Sequence, residues 1–429
     1  MRVRPYLFFK KIIKICFLVK FVETKKQNLS LVYYIAFIGD LTLSTVIVGC
    51  ILYATNIGLT TIEVGLIGGA YGFTYIVMPA VLGKISDNFS RKISLTIAVS
   101  GQMILMIYFL FIITQISDFI FFGLFFGLLL FGIMYGFFWP SIEAYISENT
   151  ESSHREHEKG ISNFCISWSF GYALGPLFAG FFSDFNILFV FIIAFLFYIS
   201  SFCLIFFKLP YIKPKHKNNA TNNLSKSGEN ISSNNQLKQY SHSNKILLLL
   251  LMGVMTYSIV SKVLLSYFTN YAALPEGLNW TGTLIGQVMF FFGLGRSFYF
   301  LIARYFKNSF SAITYSFLFI SIFLFTLAFF YPPILVSIIL FIIGFFVGRT
   351  YLVSLELILK FEKEKKGAKA GLFESIVGIG SALSPLISGI IATIDLKMPF
   401  FIFAFIVFLF LIIHLYFKKN IQFENFNEP

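Results

Sequence analysis

Charged residues are scarce in this sequence: Asp, Glu, Lys and Arg make up 12% of its 429 residues, about half of the roughly 25% found in soluble domains. The sequence also contains only four cysteines, which lie far apart inside apolar stretches. Neither a disulfide framework nor a cysteine metal site is therefore indicated. A chain folded in water needs a polar exterior that this composition cannot supply, which excludes soluble enzymes, nucleic-acid-binding proteins and disordered scaffolds.

Hydrophobic residues make up 57% of the chain and form runs of the roughly 20 residues that a helix needs to cross a bilayer. One run, from Asn308 to Gly348, is too long for one crossing, and Tyr331-Pro332-Pro333 divides it into two helices. Helix 1 extends through Asp40, and helix 7 extends through Lys262. The sequence therefore predicts an all-α polytopic membrane protein with twelve transmembrane helices.

The positive charges mark one side of the membrane. Lys and Arg are concentrated in the segment before helix 1 and in every second connection between helices. Because such residues accumulate on the cytoplasmic side, we expect a protein of the plasma membrane with both termini in the cytoplasm. The net charge of +13 is then a topology signal, and no nucleic-acid partner is expected.

The polar segments divide the chain into parts. Residues 1–27 predict a basic amphipathic segment on the inner leaflet, and residues 28–208 predict a bundle of six helices. Residues 209–244, rich in Asn, Ser and Lys, cannot bury a core and predict a cytoplasmic linker. Residues 245–418 predict the second bundle of six helices, and residues 419–429 form a tail.

The two halves repeat each other. Helix 5 contains the ten residues from Gly171 to Gly180, and helix 11 contains the ten from Gly380 to Gly389; six of the ten paired positions are identical. Repeated halves with a binding site between them at the midplane are the construction of many alternating-access transporters. The repeat predicts two pseudo-symmetric bundles.

The connection after helix 2 carries a motif, Gly83, Asp87 and Arg91 at intervals of four followed by Lys92. It resembles the signature loop of the major facilitator superfamily, which lies at this place in twelve-helix transporters. The glycine allows close helix approach. The resemblance implies a conformational latch in which Asp87 meets the positive end of helix 11 and Arg91 reaches an acid of helix 4, either Glu143 or Glu148.

The glycines and proline of helix 5 resemble an element of the drug and metabolite exporters in that superfamily. Small residues allow helices to approach, and proline bends the helix that contains it. The element predicts that helix 5 presses against helix 8, and it favours export. These helix-packing residues are Gly171, Gly175, Pro176 and Gly180, with Gly380, Pro385 and Gly389 as their repeat in helix 11.

Charges inside the predicted helices are the remaining functional signal, because isolated ions in lipid are costly and should face a cavity or pair. The resemblance implies that helices 1, 4, 7 and 10 line the cavity. A carboxylate out of water takes up a proton readily, so Asp40 is the candidate proton carrier, and a structural ion pair is the alternative. The substrate or cavity candidates are Lys262, Arg349, Arg296 and Trp139.

The sequence contains no cluster of catalytic residues and no nucleotide-binding loop, so no enzyme, cofactor or metal is expected. We predict a secondary transporter that works as a monomer with a small-molecule substrate, a coupling ion and the lipid bilayer as partners. Proton-coupled export of hydrophobic or cationic compounds is the first hypothesis. Import of anionic metabolites or sugars is the alternative, and a non-transporting receptor is a third.

Overall fold

The computed structural model describes residues 29–86, 90–115, 119–150, 154–210, 233–306, 309–361 and 366–420. These residues form twelve helices long and apolar enough to cross a membrane, and none of the described residues lies in a strand. The predicted all-α fold with twelve helices is confirmed. The predicted amphipathic segment 1–27, Asp87 and most of the tail lie outside the described residues.

The helices of the first half are α1 (Leu29–Asn56), α2 in two segments (Thr61–Tyr75 and Met78–Ser86), α3 (Arg91–Thr114), α4 (Ile120–Thr150), α5 (His154–Phe185) and α6 (Ile187–Lys208). Those of the second half are α7 (Ser233–Ala273), α8 (Gly282–Ile302), α9 (Phe310–Leu327), α10 (Pro333–Phe361), α11 (Lys366–Ile391) and α12 (Met398–Asn420). Residues 328–332 separate α9 from α10, and Pro333 begins α10, so the long apolar run forms two helices as the sequence predicts.

Side-chain caps explain several helix starts. Thr60 and Glu63 form a capping box at the start of α2, in which each side chain accepts a hydrogen bond from the other residue's backbone N–H. Ser90 and Thr281 cap α3 and α8 through their hydroxyls. These caps satisfy backbone donors that would otherwise be unpaired at the helix ends.

The predicted linker 209–244 is shorter than the sequence indicates, because α7 already begins at Ser233. A polar residue costs at most about 0.7 kcal/mol relative to alanine in a helix. Extending an existing helix also avoids the unfavourable nucleation step. The membrane helix therefore continues into the polar segment.

The packing has an approximate twofold symmetry. Within the first half α1 packs on α5 and α2 on α4; within the second half the equivalent pairs are α7 with α11 and α8 with α10. The two halves meet through α2 with α11 and through α5 with α8. These two pairs are exchanged by the same symmetry, because α8 and α11 are the equivalents of α2 and α5.

The glycines of α5 face two different neighbours, which corrects the prediction that all of them press against helix 8. A β-carbon at Gly171 or Gly175 would collide with α1 of the same half, whereas one at Gly180 would collide with Gly282 of α8. Successive helical residues are turned by about 100°. Gly175 therefore lies close to the face of Gly171, and Gly180 lies on the opposite face.

The same division is repeated in α11. A β-carbon at Gly380 would meet Ser258 of α7 in its own half, and one at Gly389 would meet Thr61 and Gly65 of α2 in the other half. The carbonyl oxygen of Pro385 contacts the position of Gly65, as that of Pro176 contacts Gly286 of α8. Close contact between the halves therefore needs small residues on both partners.

Helix α7 changes its winding in the membrane. It is α-helical from Ser233 to Lys262, π-helical from Val263 to Phe268, and α-helical again from Thr269 to Ala273. A π turn holds an extra residue and is common at functional sites. The change begins directly after Lys262, one of the charges singled out in the sequence.

Candidate functional site

A cavity lies between the two halves, at the centre of the bundle. Its volume is about 60 Å³, enough for a few water molecules and well below the roughly 300–1,000 Å³ of ordinary ligand sites. The first half contributes Asp40, Leu43, Tyr71, Tyr75, Trp139, Glu143, Phe164, Trp168 and Tyr172; the second contributes Tyr257, Ser258, Ser261, Lys262, Tyr351, Glu374, Val377 and Ser381.

Asp40 of α1 and Lys262 of α7 both line the cavity, one from each half, and both are buried. The described residues give the Asp40 carboxylate no hydrogen bond and no ion pair within 4 Å. The charges of Arg296 and Lys262 nevertheless act on it electrostatically. The Lys262 ammonium instead lies 5.0 Å from the centre of the Tyr71 ring and 6.0 Å from that of Tyr172. The acid and the cation therefore remain available to a third group.

Arg296 of α8 is completely buried and is not among the lining residues; it lies behind Trp168 and Tyr172, which line the cavity. Its guanidinium carbon lies 4.5 Å from the centre of the Trp168 ring and 4.3 Å from that of Tyr172, so the charge is stacked between two aromatic side chains. Its Nε donates a hydrogen bond to the hydroxyl of Ser169 at 2.8 Å. Neither Nη1 nor Nη2 has a hydrogen-bond partner among the described residues.

The energies of these contacts do not balance. A cation over an aromatic ring gains about 0.5–2 kcal/mol. A buried donor without a partner costs about 1–3 kcal/mol, and more when it is charged, and both terminal nitrogens of Arg296 are in that position. The aromatic stack thus offsets only part of the cost of burying this charge. The unpaired donors mark a place that can hold an acceptor.

A pair of acids lies at another part of the cavity wall. The charges of Glu143 of α4 and Glu374 of α11 act on each other, and the Tyr75 hydroxyl donates a hydrogen bond of 2.7 Å to Glu374. The pair also joins the halves, because Glu143 and Tyr75 belong to the first and Glu374 to the second.

The structure separates the other sequence candidates. Trp139 lines the cavity next to Phe164. Arg349 of α10 is not among the lining residues: its guanidinium lies 5.8 Å from the centre of the Phe306 ring and acts on Tyr299. The preceding residue, Gly348, packs on Arg296 instead, so one residue step turns Arg349 away from the centre.

The loop after α2 is described in part. Arg91 donates a hydrogen bond to Ser86 at 3.1 Å, and Lys92 donates one to the carbonyl of Phe206 at the end of α6. Of the two acids expected to meet Arg91, Glu143 faces the cavity instead, and the side chain of Glu148 lies outside the described part of the structure. A β-carbon at Gly83 would make only ordinary contact with Pro140, at 3.5 Å. The latch predicted for Asp87 lies outside the described residues.

One end of the bundle is closed by contacts between the halves. We call it the outer end; it is where α1 ends and α2 begins, and the charge distribution predicts that it faces outward. Thr55 donates a hydrogen bond to Asn270 of α7 at 2.8 Å. The carboxylate of Asp184, at the end of α5, accepts hydrogen bonds of 2.8 Å from the backbone N–H groups of Gly282 and Thr283. A carboxylate at a helix N-terminus is favourably placed relative to the helix dipole.

Several residues of the cavity were not singled out in the sequence. Five tyrosines lie in its wall, and Tyr71 and Tyr75 form a stacked pair with ring centres 5.0 Å apart. Their spacing of four residues places them on one helix face, and this is the signal that could have found them. The five are Tyr71, Tyr75, Tyr172, Tyr257 and Tyr351.

Solved structures with the same architecture are transporters. The nucleoside transporter NupG is 15% identical in sequence, with a TM-score of 0.65 over 92% of this chain and all of that one; a point mutant of NupG gives 13% and 0.66 over 90% and 98%. The human organic anion transporter MFSD10 (TETRAN) is 16% identical, with a TM-score of 0.64 over 90% of this chain and 98% of that one. At these identities the likeness is one of fold.

A family assignment comes from the sequence itself. No curated protein matches this chain, but the family model of the Major Facilitator Superfamily matches residues 29–361, from α1 to the end of α10. The subtype of exporter is not part of that match. Twelve helices, two related halves and a charged cavity between them agree with the match, and the chain belongs to the Major Facilitator Superfamily, as an integral membrane transporter and not an enzyme.

Proposed function

We propose that the protein moves a small organic molecule across the membrane by alternating access, in exchange for or together with protons. The observation that carries this proposal is the cavity between the halves, where acids from both halves stand beside two buried cations. Since each half supplies part of the wall, a rocking of the halves would open the same site to either side. The closed outer end would be one of the two states.

The acids support protons as the coupling ion. The charges of Arg296 and Lys262 act on Asp40, but neither cation is bonded to it directly. A proton can therefore bind to Asp40 without first breaking an ion pair. Glu143 and Glu374 are two further acids of the cavity wall whose charges act on each other, and like charges close together favour the binding of a proton. A charge that is lost and regained at a buried site is how a proton gradient can drive a change of conformation.

Direction and location are further parts of the proposal. The glycines and proline of α5 resemble those of exporters and favour export, whereas Lys262 and Arg296 favour an anionic substrate and the alternative of import. The distribution of Lys and Arg favours a plasma membrane protein with both termini in the cytoplasm. Function as a monomer is proposed because a single chain supplies both halves of the cavity wall.

Asp40→Asn tests the proton coupling. Purified protein is reconstituted into liposomes, and uptake of labelled nucleosides, carboxylates and organic amines is followed with and without an imposed pH gradient. We expect Asp40→Asn to abolish the stimulation by the gradient, because the amide cannot carry a proton. Exchange of labelled for unlabelled substrate at equal pH should persist, since the cavity keeps its shape.

The matched control is Asp395→Asn, which removes an acid from an exposed loop at the outer end and should leave the gradient effect intact. A well-folded Asp40→Asn protein that still responds fully to the gradient would exclude Asp40 as the proton carrier. No gradient effect on any compound in the wild-type protein would contradict proton coupling itself.

A further inference from the structure

Proton coupling gives roles to the acids of the cavity but none to Arg296. This residue is completely buried in a helix that crosses the membrane, and its two terminal nitrogens have no partner among the described residues. Three of the aromatic rings near it, those of Trp168, Tyr172 and Tyr257, also line the cavity. The guanidinium thus lies directly behind the aromatic side chains of the cavity wall, with unused donors.

The stacking restricts which direction a ligand can come from. Trp168 and Tyr172 lie against the guanidinium at 4.5 and 4.3 Å, and Ser169 accepts the hydrogen bond from Nε. The donors left over lie in the plane of the group, on the edge that carries Nη1 and Nη2. An acceptor with two oxygens in one plane, such as a carboxylate, matches that edge through two parallel hydrogen bonds.

The charges nearby set the charge of the ligand. Arg296 and Lys262 both act on Asp40, and Arg296 acts more strongly. Counted over Asp40, Lys262 and Arg296 alone, this group of three carries one net positive charge. Glu374 also acts on Asp40, but less strongly than either cation. A ligand with one negative charge restores the balance, and a dianion such as a phosphate ester exceeds it.

The remaining wall sets the body of the ligand. Trp139, Trp168 and five tyrosines line the cavity, and flat unsaturated groups stack on aromatic rings. The cavity of about 60 Å³ is small for an organic molecule, so binding needs the two halves to move apart. That movement is the one proposed for transport.

We propose that the site takes a small monocarboxylate with a flat body, whose carboxylate binds to Arg296 and Lys262 and whose body lies among the aromatic side chains. This inference rests on the proposed transport function and names the substrate class of the same cavity. It assigns to Arg296 a role in recognition.

The test uses the full-length protein in lipid nanodiscs at constant pH without a gradient, and benzoate as the probe. Binding is followed by the fluorescence of tryptophan and by thermal stabilisation. Benzoate should bind at least about tenfold more tightly than benzamide, which has the same shape without the charge. Because a hydrogen bond to a charged group contributes enough for a 10- to 100-fold change in affinity, Arg296→Gln should weaken benzoate binding by about that factor. Arg296→Lys, which keeps the charge and loses the fork, should also weaken it.

Arg304→Gln is the matched control, because Arg304 follows α8 at an exposed position. This variant should bind benzoate as the wild-type protein does. Equal binding of benzoate and benzamide, tighter binding of phenyl phosphate or benzylamine, or full benzoate affinity in Arg296→Gln would each overturn the inference. Should Arg296→Gln fail to fold, the comparison of the four compounds on the wild-type protein and Lys262→Gln decides.

The two proposals fail separately. Loss of benzoate binding with intact gradient-driven transport of another compound would reject the carboxylate and keep proton coupling. Benzoate binding that depends on Arg296 in a protein without any gradient effect would reject proton coupling and keep the carboxylate.

Discussion

The Tyr75 hydroxyl donates a hydrogen bond to the Glu374 carboxyl group inside the cavity and so joins the two halves. At a buried site, a hydrogen bond to such a group contributes about 1.5–3 kcal/mol when the group is ionised and less when it is neutral. The bond therefore stabilises the folded protein and holds α2 close to α11. A single hydroxyl can be removed here without changing the shape of the ring.

Tyr75→Phe should lower stability, because the Glu374 carboxyl loses its donor while it remains buried. We expect a loss of about 1–3 kcal/mol, measured as a lower midpoint of thermal unfolding of the purified protein. Tyr351→Phe is the comparison, since that tyrosine lines the same cavity and no hydrogen bond of its hydroxyl is found among the described residues. Equal effects of the two substitutions would show that the bond to Glu374 contributes nothing.

Only some of the charged residues of the cavity could be predicted from the sequence. Asp40 and Lys262 stand out because a charge in a transmembrane run is rare, and the structure places both in the cavity. Arg349 stands out for the same reason, yet it lies against Phe306. Which way a side chain points depends on the rotation of its helix, and a step of one residue turns it by about 100°. That rotation is fixed by packing against other helices, which the sequence of one helix does not contain.

Among the helices, the contact of Asp184 with the start of α8 is a cap supplied by the other half of the molecule. The Thr281 hydroxyl already caps the Leu284 N–H, and the Asp184 carboxylate satisfies in addition the backbone donors of Gly282 and Thr283. A cap of this kind contributes about 1 kcal/mol. Because it exists only while the halves are in contact, it stabilises the closed outer end over any open state.

Asp184→Asn should therefore shift the protein toward states with an open outer end, by about fivefold for about 1 kcal/mol. Spin labels at the exposed positions Ile57 and Glu276, one in each half, report the distance by electron–electron resonance. Asp395→Asn serves as the reference, because Asp395 accepts a hydrogen bond from Lys397 within its own loop. An unchanged distance distribution in Asp184→Asn would mean that the cap does not hold the outer end.

The number of helices and the halves could be predicted because hydropathy and the repeat depend on local sequence alone. The partners of the glycines could not. The spacing of Gly171 and Gly175 indicates a shared face, but the spacing does not say that this face meets α1. The cap by Asp184 escaped for the same reason, since a lone acid after α5 is equally typical of an exposed loop.

For the whole molecule, the nearness of Asp40 to two cations couples protons to an anionic ligand. A bound anion supplies the negative charge that Asp40 otherwise gives to Arg296 and Lys262, so it makes protonation of Asp40 easier. By reciprocity, a proton on Asp40 makes the anion bind more tightly. The affinity then rises as the pH falls. The other titratable groups at this cavity are Tyr71, Tyr75, Glu143, Tyr172, Tyr257, Tyr351 and Glu374.

We expect benzoate binding to take up protons, measured as a rise in pH when benzoate is added to the protein in weakly buffered solution. Asp40→Asn should bind benzoate with no such uptake and with an affinity that changes little with pH. Release of protons would contradict this coupling. The sign also bears on direction: a proton and an anion that bind together follow an inward proton gradient, which favours import over the export that α5 favours.

The π segment of α7 sets the rotational phase between two distant contacts. Lys262 precedes it and faces the cavity, and Asn270 follows it and holds Thr55 at the outer end. An α-helix through the same residues would turn one of these side chains by about 100° relative to the other. The cavity cation and the outer contact are therefore in register only while the segment keeps its extra residue. A change of these six residues from π-helical to α-helical winding would be enough to exchange one contact for the other.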